Sequence, residues 1–293
     1  MEISSRFAGT TLKEYKTMVT PRNAMNYAAA VNDTNPCYFD DHSHTGIVAH
    51  PMNAVAATWK ITEKIWEFIE ADDFPMEVLL TQVHYSEELE FHRMVIPGEP
   101  LVIKGKIAAI LPHRAGTRVV IKYDAMDEKG LPVFTEYLGA LMRGVTCPDN
   151  GSGEKNLPPV PNRKASPKTI WEAPVDIDPM RSFIYDGCTD IVFPIHTSIK
   201  FAKEVGLPGI ILQGTATLAF AVREIINREA KGRPSLLKRL CCRFTGMVLP
   251  GTRVRVRLTG IEKTGNGKDL FFEVVNPDDG KVISGGYAEM AKP

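Results

Sequence analysis

A carboxylate and an imidazole, Asp190 and His196, stand six residues apart in the stretch Asp190-Ile-Val-Phe193-Pro194-Ile-His196. On one short loop, such a pair can share the roles of general acid and general base around a single water molecule. Further along, Gly209-Ile-Ile-Leu-Gln213-Gly214-Thr215 leads into an apolar run with helical spacing. A backbone N–H at the start of a helix can face an oxygen that gains negative charge, because the helix dipole adds positive potential there. Gly214 occupies that position, and a glycine lets a ligand approach the backbone closely. Proton transfer beside a stabilised oxyanion is the chemistry these residues could perform.

The stretch has an earlier counterpart. Tyr27 precedes Asp33-Thr-Asn35-Pro36-Cys-Tyr38 as Tyr185 precedes the later loop, and Gly46-Ile-Val-Ala-His50-Pro51 answers Gly209–Gly214. Val95-Ile-Pro97-Gly98 and Val248-Leu-Pro250-Gly251 form a third pair of landmarks in the same order. Three landmarks repeated in order point to a duplicated domain. Tyr38 stands where the later copy has His196, so the second copy is the one equipped for proton chemistry.

The later loop closely resembles the signature of the R-specific enoyl-CoA hydratases and MaoC-like dehydratases: Gly-Asp-x-Asn-Pro-Leu-His, five residues, then a small residue. Pro194, Ile195, His196 and Ala202 match it, and Gly209–Gly214 resembles the family's Gly-x-x-x-His-Gly turn. The resemblance implies an α+β architecture of two tandem hot-dog units, each a long central helix wrapped by antiparallel sheet, forming a pseudo-dimer. It also implies reversible hydration of an enoyl-CoA, or dehydration of a 3-hydroxyacyl-CoA, usually with the R-hydroxyacyl product. On this basis His196 and Asp190 are catalytic, Gln213, Gly214 and Thr215 bind substrate, and Gly214 N–H faces the thioester oxygen. No metal or redox cofactor is required, and coenzyme A enters as part of the substrate.

The departures leave alternatives open. Counting back from His196, Ile191 fills the family's Asp position and Phe193 its Asn position, while Asp190 is one residue early. Either a local adjustment lets Asp190 reach the water, or His196 works with another polar group while Asp190 braces the loop, or the pocket only binds. The rival functions are an acyl-CoA-binding or partner subunit, and a hot-dog thioesterase. Thioesterases of this fold typically use a carboxylate on the central helix, but the run after Gly214 has none until Glu224, and the first-half helix none until Glu63. Thr215 could cap the helix or touch ligand, Tyr185 could line the pocket or pack beneath the loop, and Lys200 and Lys203 could meet phosphates or simply be solvated. His50 reads as structural. His42 and His44 lack a third ligand nearby for a metal.

Positioning this loop requires a helix and a sheet in each half. Met52, Val55, Trp59, Ile65, Trp66 and Ile69 recur at helical spacing after Pro51, predicting one long helix. Leu218, Val222, Ile225 and Ile226 predict its counterpart. Alternation predicts strands over Leu101–Ile107, Val119–Lys122, Val133–Met142, Val254–Leu258, Leu270–Val275 and Val282–Met290. Pairing the edge strands of the two units into one continuous sheet would hide exposed edges. Pro- and Gly-rich sequence over 148–174 predicts a linker, which gives units at 1–147 and 175–293.

The bulk properties fit this reading. The chain has 293 residues, 35 basic against 35 acidic, and 44% hydrophobic residues. A balanced charge argues against a nucleic-acid or anionic-membrane partner. No apolar run reaches the roughly 18 residues of a spanning helix. Without a recognisable signal peptide, five unpaired-looking cysteines suggest a reducing cytoplasm. An acyl-CoA thioester is the expected partner, and further homo-oligomerisation stays open.

Overall fold

The computed structural model describes residues 1–44, 46–161 and 168–293. The first half contains β1 (Thr11–Met18), α1 (Pro21–Ala30), α2 (Asn53–Glu63), α3 (Ile65–Phe68), β2 (Gln82–Phe91), β3 (Pro100–His113), β4 (Gly116–Asp127) and β5 (Pro132–Arg143). The second contains β6 (Trp171–Asp176), α4 (Arg181–Thr189), α5 (Ile199–Glu204), α6 (Gly214–Glu229), β7 (Leu237–Phe244), β8 (Arg253–Thr264), β9 (Gly267–Val275) and β10 (Lys281–Ala291). All ten strands join one antiparallel sheet in the order β1-β3-β4-β5-β2-β7-β10-β9-β8-β6. The second half mirrors the first about the β2–β7 seam. This is a double hot-dog fold, and the two inner edges are hidden in each other as the sequence suggested.

The seam lies on the internal symmetry. Glu88 and Cys241 each precede their Pro-Gly landmark by nine residues, and they pair with each other across β2 and β7. Tyr27 and Tyr185 each precede their loop proline by nine residues, and their hydroxyls are hydrogen-bonded at 2.5 Å. The Pro-Gly turns are themselves equivalent. Gly98 and Gly251 adopt φ of 90° and 80°, a region that favours glycine, and donate to Val19 O and Ile177 O, each at 2.8 Å. The halves are further laced by Arg181 to Ala30 O and Arg223 to Val31 O, each at 2.6 Å.

The central helices pack on the inner face of the sheet. In α6, Ala216, Ala219 and Ala221 allow close approach while Leu218, Phe220, Val222, Ile225 and Ile226 fill the core. Burying each of the large side chains contributes about 1.5–3 kcal/mol. The first-half helix is shorter than its periodicity predicts. It starts at Asn53 and stops at Glu63; Lys64 breaks the run before the single turn of α3, which leaves Trp66 half exposed. The outward arginines of β8 lie on a strip of ion pairs, Arg253 with Asp176, and Arg257 with Glu172 and Asp279.

The expected linker splits into several pieces. Ser152 bridges to Ile110 on β3, Glu154–Asn156 forms a short 3-10 turn, and β6 begins at Trp171, inside the predicted span. Residues 162–167 of that span lie outside the described residues. At the outer rim, β6 is six residues long and carries Pro174 within it.

One buried cluster was not visible in the pattern. Glu87 of β2 and Glu136 of β5 are both almost inaccessible, and His84 Nε2 lies 3.1 Å from Glu87 Oε2. Burial pushes both carboxyls well above the ordinary range, and the Glu87 charge adds to the shift at Glu136. Burial also pushes His84 down to about 4, so its ring is neutral at neutral pH. A carboxyl raised on folding gives stability that is complete below its unfolded pKa and is lost as pH rises toward the folded value. Glu136→Gln, which mimics the protonated group, should therefore gain on wild type as pH is raised from about 5 to about 8, by about 2–4 °C of Tm per kcal/mol recovered. A Tm difference that does not change with pH would contradict this.

Candidate active site

The second-half loop is built from three segments that meet at one carbonyl. His196 ends a 3-10 turn begun by Pro194, and its Nδ1 lies 2.8 Å from Ile211 O. Ser182 Oγ of α4 donates to the same oxygen at 3.2 Å. Ile211 N returns to Ile195 O at 3.3 Å, tying the strand-like entry of α6 to the loop. A carbonyl only accepts, so the neutral ring carries its proton on Nδ1 and leaves Nε2 with a free lone pair. Burial pushes the His196 pKa down to about 4, partly offset by its bond to Ile211. At neutral pH the ring is a neutral base.

Gln213 and Gly214 follow directly. Gln213 is the N-cap of α6 and is almost fully buried; its Nε2 donates to Ser182 O at 3.1 Å. Its Oε1 is buried and accepts from no described residue. Gly214 is the first residue of α6, where an N–H has no intrahelical acceptor. A Cβ at Gly214 would come within 3.1 Å of the Phe244 ring and press on it. Thr215 accepts from Tyr185 at 3.2 Å, and Tyr185 is bonded to Tyr27 of the first half. Thr215 is thus held beneath the turn, and Tyr185 is fully buried there.

Asp190 is placed elsewhere. It ends α4 in the left-handed conformation, φ 57°, with its N–H donating to Asp186 O at 3.0 Å. Its carboxylate turns outward to Lys60 Nζ of α2, 3.6 Å away. No hydrogen bond or ion pair among the described residues links it to His196. The reason is local: Ile191, at the family's Asp position, is buried in the core, which rotates its predecessor to the surface. Phe193 sets its ring 6.5 Å from that of His196, and Phe183, Ile184, Val192 and Ile199 form an exposed apolar rim on the same segments.

The first-half counterpart is sealed. Tyr38 and His50 are fully buried, and Asp33 nearly so, with His50 Nε2 3.8 Å from Asp33 Oδ2. Burial pushes His50 down to about 3. Its Nδ1 accepts from Met52 N at 3.2 Å and its ring stacks on Tyr27. Asn35 donates to Gly232 O at 2.6 Å, and Asn227 to Asp33 Oδ1 at 3.4 Å. The motif residues of this half grip the far end of α6. Ser182, Ile211 and Tyr27 carried no chemical signal in the sequence, since a backbone carbonyl and a buried hydroxyl acquire roles only through contact.

Fold and site together define a double hot-dog protein with one open histidine loop and one closed copy. Residues 163–279 match the MaoC like domain, and residues 6–136 match the FAS1-like dehydratase domain region. The chain thus carries two dehydratase-type domains in tandem, a FAS1-like region in the first half and a MaoC-like domain in the second. It is 28% identical over 213 residues to the peroxisomal multifunctional enzyme type 2 of Drosophila melanogaster, covering 71% of this chain and 34% of that protein. It is 26% identical over 231 residues to a protein of Dictyostelium discoideum named as an enoyl-CoA hydratase 2, covering 78% and 75%. The MaoC-like dehydratase of Phytophthora capsici superposes with a TM-score of 0.83 at 19% identity, over 98% of each chain. The chain therefore spans about a third of the multifunctional relative and most of the shorter one.

Proposed function

We propose that this protein reversibly adds water to an enoyl-CoA thioester at the His196 site. The observation that carries the proposal is the His196 Nδ1 contact with Ile211 O, which leaves Nε2 as the nitrogen available to act as a base. Nε2 takes a proton from water as the hydroxyl oxygen bonds to the β carbon. Electron density moves from the double bond toward the thioester oxygen, which faces Gly214 N–H. The imidazolium then gives the proton to the α carbon, so the overall change is addition of one water. The orphan Gln213 Oε1 accepts the second O–H of that water. The apolar rim around Phe193 receives the acyl chain.

All five cysteines are free, as a reducing compartment requires. We take that compartment to be the cytoplasm; two of the relatives carry "peroxisomal" in their names. No helix among the described residues is long and apolar enough to cross a membrane.

The test is a panel of short, long, branched and aromatic enoyl-CoAs, followed through the ultraviolet absorbance of the conjugated thioester. Turnover of at least one class, with formation of its 3-hydroxyacyl-CoA, is expected. Binding of every class without turnover would replace this reading with that of an acyl-CoA-binding protein.

A further inference from the structure

A cavity lies on the outer face of the sheet, at the seam and away from the His196 loop on the helix side. It has a volume of about 530 Å³ and is walled by Arg118, Tyr85 and Tyr137 of the first half and Cys241 and Arg243 of the second, with Pro159 in its roof. It exists because small residues occupy the middle of the sheet there. Gly139, Ser86 and Arg243 form one cross-strand row, and Gly285 lines the same space.

Two guanidiniums face this space without a carboxylate of their own. Arg118 Nε is buried and bonded to no described residue. Burial also holds the Arg118 pKa below its ordinary value. The Arg243 side chain makes no hydrogen bond or ion pair with a described residue, and its charge opposes that of Arg118. Three glutamates, Glu87, Glu88 and Glu154, also line the space; Glu88 is already taken by Arg239, whose Nε donates to it at 2.7 Å, and burial pushes the Glu87 carboxyl well above its ordinary range. Glu154 is within electrostatic reach of Arg118 but exposed to solvent. Burial pushes the Cys241 thiol up to about 12, so it adds no negative charge. A partly desolvated, unpaired cation is costly, and a bound anion would offset that cost.

We propose that this cavity is a binding site for a small phosphate-bearing ligand, a pyrophosphate or phosphomonoester of up to nucleotide size. Two guanidinium forks suit phosphate oxygens, tyrosine rings give flat walls for an attached group, and the volume falls within the ordinary range for small-molecule sites. The site is separate from the hydration site and does not rest on that activity. Because its walls come from both halves, the ligand would bridge them.

The test is titration of the full chain with inorganic pyrophosphate, read by calorimetry and by Tm, with and without saturating coenzyme A. Saturable binding that coenzyme A does not displace is expected, with a rise in Tm. Arg118→Met should weaken it at least about tenfold, leave hydration unchanged, and be no less stable than wild type without ligand. Arg243→Gln, at an exposed position, should weaken binding similarly and covers the case in which the Arg118 variant does not fold. Absence of saturable binding, equal binding by both variants and wild type, or displacement by coenzyme A would each overturn the proposal.

Discussion

His196→Ala is expected to lower kcat for enoyl-CoA hydration by about a hundred- to ten-thousandfold, the usual contribution of a positioned acid–base group. KM should change little, because the ring makes its decisive contact with a proton in flight. Asp190→Asn, by contrast, should cost less than about tenfold, since its carboxylate faces Lys60 at the surface. A loss equal to that of the histidine variant would bring Asp190 into the proton path. The pH profile gives a second readout. Burial lowers the His196 pKa to about 4, so the neutral, basic form persists to lower pH than for an ordinary histidine. The kcat/KM of wild type should therefore stay level from neutrality down to about pH 5 and fall as pH passes about 4. An inflection near 6.5 would mean that the ring is more solvated than its surroundings imply.

Gly214→Pro is expected to lower kcat by about a hundred- to a thousandfold, the cost of deleting one donor to a developing oxyanion. Proline removes the N–H and also brings a Cβ against the Phe244 ring. The first turn of a helix accepts proline readily. Gln213, at φ −55° and ψ 133°, already has the extended conformation that a following proline demands. Gly214→Ala is the companion, since its Cβ meets the same Phe244 ring at 3.1 Å while the N–H survives. Equal losses in the two variants would assign the defect to packing and remove the oxyanion role. A large loss in proline alone, measured on the best substrate of the panel, supports it.

The duplication and the sheet were legible because landmarks and alternation are local. Pro97-Gly98 and Pro250-Gly251 fix equivalent turns, and strands such as β8 alternate cleanly between Val254, Val256, Leu258 and their arginine neighbours. β2 escaped the same reading. Its Glu87-Glu88-Leu89-Glu90 looks like a solvated stretch, and the neighbours that bury Glu87 beside them, Glu136 and His84, are distant in sequence or set aside by a bulge. Of the residues expected to act, His196, Gln213 and Gly214 lie on segments joined through Ile211. The position of Asp190 was not readable. A one-residue displacement in a loop changes which side chain enters the core, and Ile191 wins that place by burial.

The hidden inner edges bear on how the molecule behaves in a crowded cell. Two separate five-stranded units would offer four open rims, each a template on which a stray chain could grow a ladder; the ten-stranded sheet keeps two. One is β6, short and interrupted by Pro174, which has no N–H to give a newcomer. The other is β1, which holds Lys13, Glu14 and Lys16 out in water. Joining the copies thus does more than free one pocket from chemistry: it leaves the ladder without a rim on which fibres could start.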